Sequence, residues 1–488
     1  MTKTTTRPPH PPTKGGPLKF YITTSIAYTN APPHIGFALE ILQADVLARY
    51  HRFLGEDVFF LTGTDEHGAK VAKAAKEEGK NPKEFVDEIS AQFKALKKVL
   101  NLANNDFIRT TDKKRHWPAV RKVWLKLKEN GDIYKKKYKG LYCSGCEAFI
   151  TKKDLADGKC VVHHIKPEIV EEANYFFRLS QYSEKIKKVI SQDKIKIIPE
   201  TRKKEMLNFV KQELEDISFS RPRKDLEWGI PVPDDKSQTI YVWCDALINY
   251  ISAIGYLNKE ENFKKYWPAD VHCIGKDIQK FHCLIWPGIL LSLKLPLPKA
   301  AFVHGFITVG GQKISKSLGN VIDPFALVKK YGTDAVRYFL LREIPPTEDG
   351  DFTYEKFESR YNADLAKGLG NLAARVLKLA KSPAPQKCSD SKIRAIIDKT
   401  WKHWRKSLEE FKFNETLVTV WNLISFCDKY IEKEKIWEKS KNQQTKIKNL
   451  LFTIKNIARL LQPFLPETSE KILSQLKTKQ SKILFPKI

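Results

Sequence analysis

Lys19-Phe-Tyr-Ile-Thr-Thr-Ser25 is aromatic and β-branched almost throughout and reads as a buried strand. A turn rich in Asn and Pro follows from Tyr28 to Pro33, then a helical pattern from Ile35 to about Phe53, which Gly55 stops. Val58-Phe-Phe-Leu61 is a second apolar strand. Strand, helix and strand in such close succession form a βαβ unit, which implies a parallel sheet with a right-handed crossover. Helical stretches are expected from there to about Asn130. Between Ile133 and about Pro222 the chain turns Lys-rich, with short strands and a Cys cluster, and reads as an insertion. The strand signals Ile240-Tyr-Val-Trp243 and Val271-His-Cys-Ile274 are expected to return it to the sheet. From about Asp364 onward nearly everything reads as helix. Leu417, Val420, Trp421 and Ile424, and then Leu450, Ile454, Ile457 and Leu461, recur at spacings of three and four. A Pro-containing break at residues 382–385 separates two of these helices.

The fold class expected is α/β, a Rossmann-type parallel-sheet domain with an inserted knuckle, followed by an all-α helix bundle. The expected division is a disordered tail over 1–17, the first half of the α/β domain over 18–132 and the insertion over 133–222. The second half follows over 223–309, then a loop-bearing linker over 310–363 and the helical domain over 364–488. Of 488 residues, 42% are hydrophobic and 11% aromatic, which excludes wholesale disorder and a fibrous repeat. Lys and Arg total 85 against 57 Asp and Glu, a formal charge of +28 that points to a polyanionic partner, nucleic acid first. The longest apolar run, Phe281 to Leu293, is short and broken by His282 and Pro287, so no membrane span is expected. The eight cysteines do not make a disulfide scaffold and fit reduced thiols in a cytosol.

Three constellations carry chemistry. Pro33-His34-Ile-Gly36-Phe37 sits where the first strand hands over to a helix, where backbone N–H groups favour an anion and His34 adds a donor. Lys313-Ile-Ser315-Lys316-Ser317 is flanked by Gly310, Gly311 and Gly319, so a hinged loop could bring two ammonium groups over a triphosphate. Cys143-Ser-Gly-Cys146 and Cys160-Val-Val-His163 have the spacing of a tetrahedral structural zinc site, with His164 as an alternative fourth ligand. Four protein ligands leave no place for water, so such a metal would not be catalytic.

His34-Ile-Gly-Phe37 and Lys313-Ile-Ser-Lys-Ser317 resemble the two signatures of class I aminoacyl-tRNA synthetases. Tyr28-Thr-Asn-Ala-Pro-Pro-His34, Thr62-Gly-Thr-Asp-Glu-His-Gly68, Tyr241-Val-Trp-Cys-Asp-Ala246 and Ile274-Gly-Lys-Asp-Ile278 narrow the resemblance to the methionyl-tRNA synthetase family. Phe281-His282, Trp286 and Val303-His-Gly305 continue it, over about residues 18–465.

The resemblance implies ATP-dependent activation of methionine, with Mg²⁺ as counter-ion of ATP, and transfer of methionyl to tRNA. His34, Lys313 and Lys316 would be catalytic, and Gly36, Ser315 and His304 would join them around ATP. Ile26, Tyr28, Asp65, Trp243, Ala246, Leu247, Tyr250, Asp277, Phe281, His282 and Trp286 would bind methionine, Asp65 taking the ammonium. Asn371, Arg375 and Trp437 would read the anticodon, although Ile436 stands where many relatives carry proline. The knuckle would hold structural Zn²⁺. A cytoplasmic monomer is expected, since nothing resembling the family's appended tRNA-binding domain follows Ile488. Another class I synthetase would want a pocket different from Tyr28, Trp243 and Phe281. A non-catalytic tRNA-binding relative is the other alternative, prompted by Phe37, which replaces the signature's second histidine. That lost donor corresponds to about 2–4 kcal/mol of transition-state stabilisation unless a neighbour compensates.

Overall fold

Strand β1 (Lys19–Tyr28) lies at the centre of a six-stranded sheet because its apolar residues face protein on both sides. The computed structural model describes residues 17–145, 148–150, 154–162, 164–314, 319–380, 383–438, 440–478 and 480–488. The expected tail lies outside them, apart from its last residue. With β2 (Asp57–Asp65), β3 (Asp106–Arg109), β4 (Lys196–Ile198), β5 (Val271–Gly275) and β6 (Ala300–His304), the order is β3-β2-β1-β5-β6-β4. Every pair is parallel. The chain leaves β1 toward β2 on one side and re-enters at β5 on the other, so a crevice opens at the carboxyl ends of β1 and β5. Tyr28, Asp65, Gly275 and His304 are the last residues of their strands, and the topology alone brings them to that edge.

Several elements differ from expectation. Asp106–Arg109 contributes β3, a short strand within the span expected to hold helical stretches. Lys196–Ile198 pairs with β6, so the chain touches the main sheet within the span expected for the insertion. Ile240 ends a strand, Asp235–Ile240, of a separate three-stranded sheet, and Val242–Leu247 is helix. Tyr-Val-Trp therefore does not re-enter the main sheet: Tyr241 caps the helix, Val242 is buried on it and Trp243 is half-buried. The insertion itself is a long antiparallel ribbon, Ile133–Cys143 against Glu168–Phe177, with Ile133 opposite Phe177 and Tyr142 opposite Glu168.

Helix α1 (Ile35–Phe53) is buried around most of its circumference, between the sheet and the C-terminal helices, and carries Glu40 and Asp45 inward. One apolar core runs without interruption from Phe20 and Ile22 past α1 to Leu450, Ile454, Ile457 and Leu461. A second core, with Trp124, Tyr250 and Trp286, covers the opposite face. In the helical region, Leu417, Val420 and Ile424 are buried as the spacing predicts. Trp421 is half-buried and packs 4.5 Å from the Tyr338 ring. Of the break expected at residues 382–385, Ser382 lies outside the described residues.

Asp45 Oδ1 accepts from Ala103 N at 2.6 Å, and Oδ2 accepts from Arg49 Nε and Arg337 Nη2, both at 2.8 Å. Arg337 is fully buried and also donates to Leu100 O at 2.9 Å, Phe464 O at 2.7 Å and Pro463 O at 3.0 Å. One guanidinium thus ties the first helix to the chain's last third. Removing one partner of a buried pair leaves a desolvated charge behind. Arg337→Met is expected to cost about 3–5 kcal/mol in urea unfolding, and Arg337→Lys to recover less than half, because an ammonium cannot fork. An unchanged unfolding midpoint in both variants would contradict this role.

Candidate active site

His34 caps helix α1 from extended backbone, and its Nδ1 accepts the Gly36 N–H at 3.0 Å. A Cβ at Gly36 would stand 2.7 Å from His34 Cε1, so only glycine lets the ring fold over the helix start. With Nδ1 accepting, the neutral ring carries its proton on Nε2 and keeps that N–H as a donor. Desolvation pushes the His34 imidazole down, which favours this neutral form. Two of the N–H groups at this helix start are engaged within the protein: Ile35 N donates to Ile322 O at 3.1 Å and Gly36 N to His34 Nδ1 at 3.0 Å. Phe37 turns its ring edge-on to Phe93 at 5.0 Å and serves packing.

The second signature follows a short hairpin, with Thr308 opposite Lys313. Gly310, Gly311 and Gly319 have φ of 59°, 76° and 64°, left-handed turns that give the loop its hinges. Asp351 Oδ1 holds the hairpin by accepting from Gly311 N at 2.8 Å and Thr308 Oγ1 at 2.7 Å. Lys313 is exposed, its Nζ 5.8 Å from the Phe306 ring centroid. Ser315, Lys316 and Ser317 lie outside the described residues. The bond from Ile35 N to Ile322 O connects the segment after this loop to the helix that His34 caps.

Under the crevice, Glu40 Oε1 accepts from Ser25 N at 2.7 Å and Ser25 Oγ at 2.6 Å, while Oε2 meets His304 Nε2 at 2.8 Å. His304 Nδ1 reaches Gly305 O at 2.7 Å. A carbonyl and a carboxylate only accept, so both ring nitrogens carry protons and His304 is an imidazolium. Burial alone would push its pKa down, but the Glu40 hydrogen bond and charge hold it above the ordinary value. A Cβ on Gly275 would lie 2.7 Å from Asp277 Oδ1 and 3.8 Å from His304 Nε2, so these three residues share one corner.

Beside that corner is an aromatic recess. Trp243 packs on Phe281 at 4.6 Å and on Tyr241 at 5.4 Å, and Tyr28 joins Trp243 against Leu226 and Val242. Ile26, Tyr28, Trp243, Ala246 and Phe281 keep some exposure, whereas Leu247, Tyr250, His282 and Trp286 are buried behind them. Phe281–Ile285 is a π-helical turn, a local widening that carries both Phe281 and His282 into this region. His282 Nδ1 donates to Ile278 O at 3.0 Å, so its Nε2 accepts from the Tyr250 hydroxyl at 2.6 Å. Desolvation pushes His282 down to about 4. Trp286, fully buried, donates Nε1–H to His272 Nε2 at 3.3 Å, and His272 Nδ1 in turn meets Thr23 Oγ1 at 2.7 Å.

The remaining candidates lie elsewhere. Cys143 and Cys160 are buried in one small cluster with Ile150; Cys146 and His163 lie outside the described residues. His164 is exposed, at φ 56°. Among the described residues, no group of three or more His, Cys, Asp or Glu could hold a metal ion. Asn371 and Arg375 sit one turn apart on the helix Asn371–Leu379. Arg375 is not a free face, since it pairs at 2.6 Å with Glu432 on the helix Phe413–Glu434, whereas Trp437 is 48% exposed just beyond the end of that second helix. Sequence reading missed Glu40, His67, His116, Asp245 and His272. A carboxylate in an otherwise apolar helical stretch, as at Glu40, was the available signal.

The profile of the family described as tRNA synthetases class I (M) matches residues 20–154 and 146–377, and that of the anticodon-binding domain of tRNA ligase matches residues 390–487. The methionine–tRNA ligase of Thermotoga maritima is 44% identical over 476 residues, 94% of this chain and 75% of that protein. That of Brucella suis is 41% identical over 484 residues, 96% and 93% of the two chains. A solved structure of Mycobacterium tuberculosis methionyl-tRNA synthetase in complex with methionyl-adenylate superposes with a TM-score of 0.88 at 37% identity, covering 96% of this chain and 99% of that one.

An unfolded imidazole takes its proton near 6.5 and folded His282 only near 4, so its contribution to stability is full above 6.5 and is lost as pH falls toward 4. The loss amounts to about 3 kcal/mol over that window. Melting curves of His282→Gln are expected to fall less steeply on acidification than those of the wild type; parallel curves would contradict a buried neutral ring.

Proposed function

The chain belongs to the methionyl-tRNA synthetase family of class I enzymes, and on that premise we propose that it is a methionine–tRNA ligase. It activates methionine with ATP to methionyl-adenylate and pyrophosphate, then transfers methionyl to the 3′ end of its tRNA. The observation that carries this reading is the convergence, at one sheet edge, of a phosphate donor (His34), a carboxylate for an ammonium (Asp65) and an aromatic recess around His282 and Tyr250.

Activation is an in-line attack of a carboxylate on the α-phosphate, which needs positioning and charge neutralisation more than covalent help. His34 Nε2–H donates to the phosphates. Lys313 swings in on its glycine-hinged hairpin to neutralise the departing pyrophosphate, and Lys316, outside the described residues, acts beside it. Mg²⁺ accompanies ATP as its counter-ion. Asp65 holds the methionine ammonium, and the thioether lies among Ile26, Tyr28, Trp243, Ala246 and Phe281, backed by Leu247, Tyr250, His282 and Trp286. An uncharged, polarizable sulfur suits such walls and a neutral imidazole–hydroxyl pair better than a charged site. Asp277 stands with Gly275 and His304 at the end of β5, which favours a place between amino acid and nucleotide rather than deep in the thioether recess.

Two buried thiols in one small cluster fit a zinc ion by donor chemistry, so Cys143 and Cys160, with Cys146 and His163 supplied by the spacing, would hold it. Its contribution would be a cross-link in a ribbon with little core of its own. Exposed Trp437 suits base stacking, with Arg375 and Asn371 on the nearby helix for base edges. A cytoplasmic monomer is proposed as expected from the sequence; among the described residues no helix is long and apolar enough to cross a membrane. The division into domains is proposed as expected from the sequence, with β4 reassigned to the catalytic sheet.

Methionine-dependent exchange of pyrophosphate into ATP tests the reading. Lys313→Ala is expected to lower its rate by about 10²-fold or more with little change in methionine KM. Exchange that does not depend on methionine would contradict it.

A further inference from the structure

Asp245 is fully buried and stands two residues after Trp243 on the helix Val242–Leu247. Its Oδ2 lies 2.5 Å from His67 Nδ1, and its Oδ1 lies 2.7 Å from His116 Nε2. His116 Nδ1 lies 2.8 Å from Ser252 Oγ. An ionised carboxylate offers only lone pairs, so both ring nitrogens facing it carry protons. His116 is thus protonated on Nε2, and its Nδ1 meets the Ser252 hydroxyl, which also reaches Asn249 O at 3.4 Å. Burial would push the Asp245 carboxyl up, but the two imidazoles hold it below its usual range. His67 is 2% exposed and boxed by the indoles of Trp117 at 5.9 Å and Trp228 at 5.6 Å. The Trp228 Nε1–H itself donates to Glu66 O at 2.5 Å.

The bridge joins three segments of different origin. His67 closes the turn Asp65-Glu66-His67 after β2, His116 opens the helix His116–Glu129, and Asp245 shares one helical turn with Trp243 and Ala246. An ammonium acceptor and an apolar wall are thereby held at one fixed separation. A free amino acid has a fixed reach from its ammonium to its side chain, so that separation acts as a ruler. A well-packed apolar trio would cost less than a desolvated charge held by two rings, so stability alone does not account for the arrangement.

We propose that Asp245, with His67 and His116, is a positioning triad that sets the spacing between Asp65 and the Trp243–Ala246 wall, and through it the affinity for methionine. The proposal rests on the ligase reading above. None of the three residues needs to touch substrate.

Pyrophosphate exchange measured against methionine and against ATP separates positioning from mere stability. Asp245→Ala is expected to raise methionine KM about tenfold or more while ATP KM stays within about twofold. His67→Phe keeps the volume between the two indoles but removes the N–H, and is expected to give the same split. Asp245→Asn can rebuild the bridge. Its side-chain oxygen still accepts from His67, and its amide donates to His116 Nε2 once the His116 proton moves to Nδ1 and is donated to Ser252 Oγ. It is therefore expected to recover most of the affinity lost in Asp245→Ala. Unchanged methionine KM in His67→Phe, or methionine and ATP KM rising together in either variant, would overturn the proposal. If Asp245→Ala does not fold, His67→Phe carries the comparison by itself. A wild-type enzyme without methionine-dependent exchange would overturn the ligase reading itself, and this inference with it.

Discussion

Two carboxylates buried on one helix constrain the whole molecule. Helix α1 has almost no solvent face, so Glu40 and Asp45 cannot be hydrated and must be paired where they stand. Glu40 finds Ser25 on β1 and the His304 imidazolium on β6, which lie on either side of β5. Asp45 finds Arg337, which also donates to the backbone carbonyls of Leu100, Asn101, Pro463 and Phe464. The same helix presents His34 at its start. Satisfying the two buried charges therefore fixes where the His34 imidazole sits relative to the sheet and to the C-terminal helices.

The chemistry of the crevice follows from where strands end and from who donates to whom. Parallel strands around a reversal in order leave their carboxyl ends facing one gap, and the residues found there have unlike jobs. On the side proposed for the nucleotide stand an imidazolium locked to a carboxylate, a neutral imidazole with one committed tautomer, and an exposed lysine on glycine hinges. In the aromatic recess, tautomers are again set by the protein, since a backbone carbonyl claims one nitrogen of His282 and leaves the other for Tyr250. A ligand entering this gap meets groups whose protons are already placed, so little reorganisation is needed as charge develops.

Much of this was legible in the sequence. Val58 to Leu61 and Val271 to Ile274 read as strands from apolar content alone, and the α1 span from Ile35 to Phe53 is as the periodicity has it. The glycine-hinged lysine loop and the capping histidine were visible as motifs. What escaped was set by tertiary context. Tyr241-Val-Trp243 has the composition of a strand but folds as a helix turn, because burial rather than propensity decides its state. Lys196–Ile198 is too short to stand out among lysines, yet it completes the sheet edge. His67, His116 and Asp245 are 49 to 178 residues apart, and no local spacing reveals that one carboxylate serves both rings.

The central claim is that the capping imidazole and the aromatic recess grip two ends of one adenylated amino acid. A crystal structure with a non-hydrolysable methionyl-adenylate analogue tests it most directly. The phosphate mimic is expected within hydrogen-bond distance of His34 Nε2, with Nδ1 still on Gly36, and the thioether beside Tyr250 and His282. An analogue seated away from this edge of the sheet, or a His34 ring that leaves Gly36 to reach it through Nδ1, would contradict the account.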